Sequence, residues 1–565
     1  MRPFRRMLSL ALAGSLALAC GACTSGAQGA GDPGAAKYQP IADDVSGRTR
    51  VPAVKLLTKT SAEDPRRYEQ ARLIVEAWQQ AGVPAELLAV RGAEVTRRAF
   101  TSKDFDAYLV VYDPTPDRLD PDNILARFTS TSAGTAGSNV SGYRNSEYDA
   151  LYKAQQLATN EADRVDAVKK AQALLYEQQP VRPFAHVIVG GAYRSDRWDG
   201  IRGALGYPVF NIWNSINAAP KTDKRTLVVG TIYEPPTLNP VTLETTEAQL
   251  PLSHIYDSLV RIGPDGELRN WAATSIEVSG DRVTATLRPG MRFSDGEPVS
   301  AADVAFTVNY LIDKKSPLFG PKLAGVREVR AKGETVEFTL ADSSSSFVPT
   351  VLAQMPILPE HIWKDVDDPA KFTNDAPVGS GPFTFAGRKL GAEMRFAPNK
   401  EHFSAPKVDG LVMTVLGSFD AEVGGLAQGD IDMLGDIQSV AQLGSLQGKA
   451  GITVIPVESF GWAGLHYNMR QAPFDDRHFR RALSYLVPVQ DIIDVVLDGQ
   501  GKPAGSAIAP TLTKWYDPSL KPFPYDLQAA MNELRQAGYV FDRAGALYYP
   551  KADADKRLRD NDVAG

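Results

Sequence analysis

The sequence predicts an α/β protein of several domains, in which a parallel-sheet unit near the front is followed by a β-rich stretch and then by a return to mixed α/β. Three observations carry that reading. Strand-like apolar runs flank a capped amphipathic helix early in the chain, the βαβ pattern that implies a parallel sheet. From Thr226 onward, short strand-and-turn sequences dominate. The length of 565 residues exceeds what one compact domain needs, while 43% hydrophobic and 23% charged residues are ordinary for a chain whose bulk folds in water.

The first element is an export signal. MRPFRR supplies a basic start, and MLSLALAGSLALA is an apolar run too short to span a bilayer comfortably, so residues 1–19 read as a signal peptide. Without them, which removes Arg2, Arg5 and Arg6 and no acid, the balance is 58 basic against 67 acidic residues, a net of −9 that argues against nucleic acid as a partner. Cys20 and Cys23 follow, and no later cysteine exists, so the folded body carries neither disulfides nor thiol chemistry. Residues 20–47, rich in Gly, Ala, Ser and Pro without apolar periodicity, read as a flexible tether.

VPAVKLLT is then a strand. Asp64 is placed as N-cap and Pro65 as first helical residue of a helix that carries Ile74, Trp78 and Ala81 on one face up to Gly82. PAELLAV and FDAYLVVY are further strands. A second helix over Glu161–Gln178 carries Val165, Val168, Ala171 and Leu175, and both helices are expected to pack on the sheet. In the β-rich stretch, IEVSGDRVTATLRPG reads as two strands around a Gly-Asp turn. SAADVAFTVNYLI opens with Ser300 and, three residues on, Asp303, a capping box. The chain past Pro377 is mixed α/β and ends with the helical DRHFRRALSYLV and DLQAAMNELRQAG.

Catalysis finds little support. His186, His254, His361, His402, His466 and His478 show no metal-ligand spacing, and neither GxxxxGK nor GxSxG occurs. No enzyme, metal or cofactor is expected.

IYDSLVRIGPDGELRNWAATSIEVSGDRVTATLRPGMRFSDGEPVSAADVAFTV resembles the N-terminal signature of the family 5 extracellular solute-binding proteins, the oligopeptide- and dipeptide-binding receptors of ABC importers. PVGSGPFTF, GDIDML, YNMRQAPFDDRHFRRALSYL and QAGYVFDRAGALYY resemble later landmarks of that family, in its order. The LALAC junction resembles a bacterial lipobox, which implies lipidation of Cys20, with Cys23 as the other candidate. FDAYLVVYD, DPDNIL and GYRNSEYDALYKA resemble the family's C-terminal part yet precede its first strand here, and the chain stops where the family would continue into a strand like VKLLT. The resemblance therefore implies a bilobal, periplasmic-binding-protein-like fold of type II with an extra β-rich domain, circularly permuted across NAAPKTDKRT.

The implied division is 48–189 in the second lobe, 190–262 and 375–418 in the first, 263–374 as the inserted β-rich domain, and 419–565 again in the second. Implied too are a cleft that captures an oligopeptide or other small polar solute, delivery to permease subunits, a monomeric state, and anchoring to the outer face of the cytoplasmic membrane. The alternative use of the scaffold is a lipoprotein acting as a regulator or partner in cell-envelope assembly. Within YDPTPDRLDPDNIL, Asp117 matches the aspartate that pairs with a peptide's α-ammonium, a charge-assisted bond of about 1.5–3 kcal/mol. Pro114 stands where that family has a tryptophan, Tyr112 is the nearest aromatic, and Arg118 is placed to neutralise Asp117 or take a carboxylate. Glu244 and Thr246 match a segment whose backbone pairs with an extended peptide. Trp462 is a candidate stacking surface.

Overall fold

The computed structural model describes residues 33–114, 118–134, 137–242 and 246–551. Cys20 and Cys23 lie outside them. The βαβ reading holds. Val54–Lys59 pairs in parallel with Ala85–Val90 on one side and Ala107–Tyr112 on the other. The connecting helix Pro65–Gln80 is capped by Asp64, whose side chain accepts from the Arg67 N–H, and it buries Ala71, Ile74, Val75 and Trp78 against the sheet. The sheet is covered on both faces, as parallel strands require. One layer holds Trp78, Phe479, Leu483 and Met531, and the other holds Leu57, Tyr108, Phe128 and Val168.

Ala107–Tyr112 is followed across the sheet by Trp462–Tyr467 and then by the fourteen-residue strand Val181–Arg194, both antiparallel to their neighbours. That long strand belongs to two lobes. Its first half, 181–187, pairs with Trp462–Tyr467 and Gly501–Pro503 in what we term the second lobe. Its other half, 188–194, pairs with Ile452–Glu458, Met433–Leu434 and Gln438–Ser439 in the first lobe. The first lobe continues through Thr226–Thr231 and Gly410–Val415 in parallel, then Glu393–Pro398 and Phe383–Lys389. The chain crosses between lobes a second time at 459–461. There the Ser459 N–H donates to the Val187 carbonyl and the Ile188 N–H to that of Gln500.

The β-rich unit is a four-stranded antiparallel sheet in the order Ala273–Ser279, Arg282–Leu287, Thr335–Leu340, Val326–Lys332. Helix Ala301–Asp313 closes it with the complete Ser300–Asp303 capping box. Its core is continuous with that of the first lobe, from Val283 and Phe338 through Val304 to Val229 and Leu411.

Two expectations need correction. Residues 419–458, expected in the second lobe, form the helix Phe419–Gln428 and strands that pair with the first lobe's sheet. Mixed α/β texture is common to both lobes, so nothing at 419 marks a crossing. The expected tether also ends earlier than 47. Ala35 is buried, the Gln39 side chain donates to the Ala81 carbonyl at 3.2 Å, and Ile41 bridges Phe541. These contacts are mostly made by backbone, which leaves no apolar period to read.

The two ends of the described chain meet in the second lobe. Phe541 donates to the Pro40 carbonyl at 3.0 Å and accepts from the Ala42 N–H at 2.9 Å. Val51 donates to the Leu547 carbonyl at 2.8 Å, and Tyr549 to that of Thr49 at 2.9 Å. Phe541 and Leu547 are buried in the same layer as Val51 and Trp78. The linker near Lys221 is pinned to the first lobe by Lys224, whose Nζ lies 2.9 Å from Asp432.

Candidate functional site

The lobes face each other across a cleft, and a cavity of about 410 Å³ lies within it. Arg118 and Leu119 reach it from the second lobe, while Tyr207, Asn211, Trp213 and Gln354 are among its walls on the other side. A volume of this size suits a small solute. Its charge is cationic at two points. Arg118 follows the strand Ala107–Tyr112, its guanidinium 5.2 Å from the Tyr112 ring and its Nη1 donating to the Asp113 carbonyl at 2.5 Å. Lys322 donates to Gln354 Oε1 at 3.0 Å from the β-rich unit.

Tyr112 and Trp462 are brought together. They face each other in register on adjacent strands, ring centroids 4.3 Å apart, and Arg127 also stacks on Tyr112 at 5.5 Å. The Tyr112 hydroxyl pairs with His466 Nε2 at 3.2 Å. Trp462 is only 1% exposed, so it lies beneath Tyr112 as part of the floor under Arg118. Its indole Nε1 is buried with no hydrogen-bond partner. Asp117 and Glu244 lie outside the described residues. Thr246 opens the helix Thr246–Ile255, so the strand edge expected there is replaced by a helix start. The reason is local: TEAQLPLSHI places Leu252 and Ile255 three residues apart, the spacing of one helix face, and both are buried.

The sequence reading missed a buried network beside the cavity. Asp257 is fully buried and accepts from the Trp271 indole at 2.6 Å, with His402 Nε2 at 3.3 Å and Arg261 at 3.7 Å. Arg261 stacks on Trp271 at 4.9 Å and donates to the Ser253 and Tyr256 carbonyls. An acid and an arginine four apart in the otherwise apolar IYDSLVRI were the available signal. Asp257 spends its carboxylate on these partners and Arg261 Nη2 on the two carbonyls, while Arg261 Nε is buried without a hydrogen-bond partner, so the pair braces the wall of the cavity.

Three of the buried histidines are held neutral. Burial pushes His466 down to about 3, helped by Arg127 and Lys103, and pushes His186 and His254 down to about 4. His466 is held by Ser141 Oγ at 2.9 Å as well as by Tyr112, and His254 by Ser215 Oγ at 2.9 Å. They act as polar spacers in the core. Among the described residues no cluster of three metal-ligating side chains occurs, and no helix is long and apolar enough to cross a membrane.

Comparison with known proteins bears on the family. The chain is 30% identical over 384 residues to Protein XP55 of Streptomyces lividans, a match that covers 64% of this chain and 69% of that protein. It is 28% identical over 293 residues to Di/tripeptide-binding protein 1 of Pseudomonas aeruginosa, covering 47% of this chain and 54% of the relative. The solved structure of the oligopeptide-binding protein AppA of Bacillus subtilis with a nonapeptide matches 56% of this chain and 64% of that one at 24% identity, with a TM-score of 0.45. The model of the bacterial extracellular solute-binding proteins, family 5, matches residues 267–553. On that match and the extent of the Streptomyces relative, the chain belongs to the family 5 bacterial extracellular solute-binding proteins.

Proposed function

We propose that this protein is the receptor of an ABC importer, which captures a short peptide or peptide-like solute between its lobes and delivers it to permease subunits. The observation that carries the reading is the cavity of about 410 Å³ between the lobes, with Arg118 at its edge. Asp117, one residue before Arg118, reads the ligand's ammonium, and Arg118 meets a carboxylate. Burial of both ends as the lobes close strengthens each charge-assisted bond by excluding water. The protein is held at the outer face of the cytoplasmic membrane by a lipid on Cys20.

We also infer that the family's chain order is circularly permuted here. In support, Val54–Lys59 joins the same sheet as Trp462–Tyr467 and Ala107–Tyr112, and residues 49–51 pair with 547–549. Residues 50–220 expressed alone should then fail to fold cooperatively, because their half of the sheet lacks Trp462–Tyr467.

A thermal-shift screen followed by calorimetry tests the binding reading. Free-amine di- to pentapeptides, simple sugars and metal chelates are compared on the mature chain. A bound peptide at 100 times its Kd adds about 2.7 kcal/mol of stability. A peptide panel that leaves the melting curve unmoved at millimolar concentration refutes the peptide reading.

A further inference from the structure

The helix Ser146–Leu157 of the second lobe ends, like any helix, with carbonyls that have no partner inside it. Three of them are met from across the cleft. The Ser345 hydroxyl donates to the Gln155 carbonyl at 2.7 Å, and the Ser345 N–H to that of Gln156 at 2.9 Å. The Ser343 hydroxyl donates to the Leu157 carbonyl at 3.2 Å. These donors sit in the run of four serines, 343–346, that follows strand Thr335–Leu340 of the β-rich unit.

Behind the helix end, Arg164 grips the Asp120 carboxylate at 2.6 and 2.9 Å and donates to Gln155 Oε1 at 3.2 Å. Its Nη1 also reaches the Ser345 carbonyl at 3.4 Å. Asp120 caps the helix Pro121–Leu125 and lies three residues after Asp117. The contact stands free in the cleft. Cavities of about 500 and 460 Å³ lie on its two sides, and Ser343 and Ser344 line both. Neutral hydrogen bonds of this kind are cheap to exchange for water, because each group finds a new partner when the surfaces part.

We propose that the serine loop 343–346 is a clasp that holds the lobes closed by capping the end of helix Ser146–Leu157 from the opposite lobe. Arg164 and Asp120 couple it to the start of helix Pro121–Leu125. The clasp rests on the reading that the lobes turn about their two crossings, and on no particular ligand.

The test is an inter-lobe distance distribution, measured without solute by electron–electron resonance between spin labels at A150C and E328C in a C20S/C23S chain. Both labelled positions are exposed, one on helix Ser146–Leu157 and one on strand Val326–Lys332. S343A/S345A should lower the closed-to-open ratio by about 5- to 140-fold, the factor for two lost neutral hydrogen bonds. S344A, whose hydroxyl faces Ser346 Oγ at 3.4 Å, should leave the ratio unchanged. Amide exchange in Thr226–Thr231 and Trp462–Tyr467 should stay at the parent level in each variant, which separates opening from unfolding. The proposal is overturned when S343A/S345A gives the parent distribution, or when S344A opens the lobes as far. The distances are read without solute, so failure of the peptide screen leaves this result standing.

Discussion

Truncating one ring probes whether the meeting of the chain's ends is structural. Phe541 is fully buried, and its backbone bonds tie it to Pro40 and Ala42. Its ring lies against the turn after helix Pro65–Gln80, where a Cβ added at Gly82 would come within 3.0 Å of it. Phe541→Ala therefore removes a large side chain from the layer that also holds Val51, Trp78 and Phe479, at a cost of about 3–5 kcal/mol. Amides that exchange through opening of the second lobe should then exchange roughly two to four orders of magnitude faster. Hydrogen exchange read by mass spectrometry checks this in Val54–Lys59 and Ala107–Tyr112, with Thr226–Thr231 and Gly410–Val415 of the first lobe as the internal reference. Faster exchange confined to 540–549, with Val54–Lys59 unchanged, would falsify the reasoning, since the end of the chain would then be an appendage.

Glu422 gives a pH prediction: burial, then the neighbouring Asp436, push its carboxyl up to about 8, while the Gly435 and Asp436 N–H groups and the Gln438 amide donate to it. A raised carboxyl pKa means that the stability it permits is full below about pH 4.5 and is lost as pH rises toward 8. Glu422→Gln, uncharged throughout, should melt progressively above wild type from pH 5 to pH 8. Parallel decline of the two melting curves would count against it. Asp117→Asn should weaken binding of a free-amine peptide more than of its N-acetylated form, measured by calorimetry, and equal losses would mean that Asp117 does not read the amine. Cys20→Ala should move the protein from the membrane fraction to the soluble one on fractionation, and unchanged retention would remove the lipid anchor.

Local chemistry made much of the fold readable before any coordinates. Asp64 before Pro65 and Ser300 three residues before Asp303 satisfy helix-start N–H groups with side chains close in sequence, so both helix starts follow from a few letters. The strand Val181–Arg194 was harder. It contains Pro183, Gly190 and Gly191, residue types that weaken a strand pattern, yet both glycines serve close approach, since added Cβ atoms would meet Leu443 at 2.7 Å and Val209 at 2.5 Å. The same tertiary logic hid the crossing at 459–461, which is defined only by the partner each half of that strand selects. At the candidate site, Tyr112 and Arg118 were legible because a strand ends there in a polar loop. Ser343 and Ser345 were not, because the carbonyls they cap lie far away in the chain, and no periodicity encodes such a meeting.

The strand shared by both lobes also has a kinematic consequence. Residues 181–187 are zipped into one sheet and 188–194 into the other, so relative rotation is concentrated where the ladder changes partners. Seven strand residues at about 3.3 Å each make a lever arm of about 23 Å on the first-lobe side. A turn of about 10° at that pivot swings the end of such an arm by about 4 Å, more than the reach of a hydrogen bond. A few degrees of backbone adjustment at three residues thus suffice to make or break contacts at the far rim of the cleft, while each lobe keeps its own core intact.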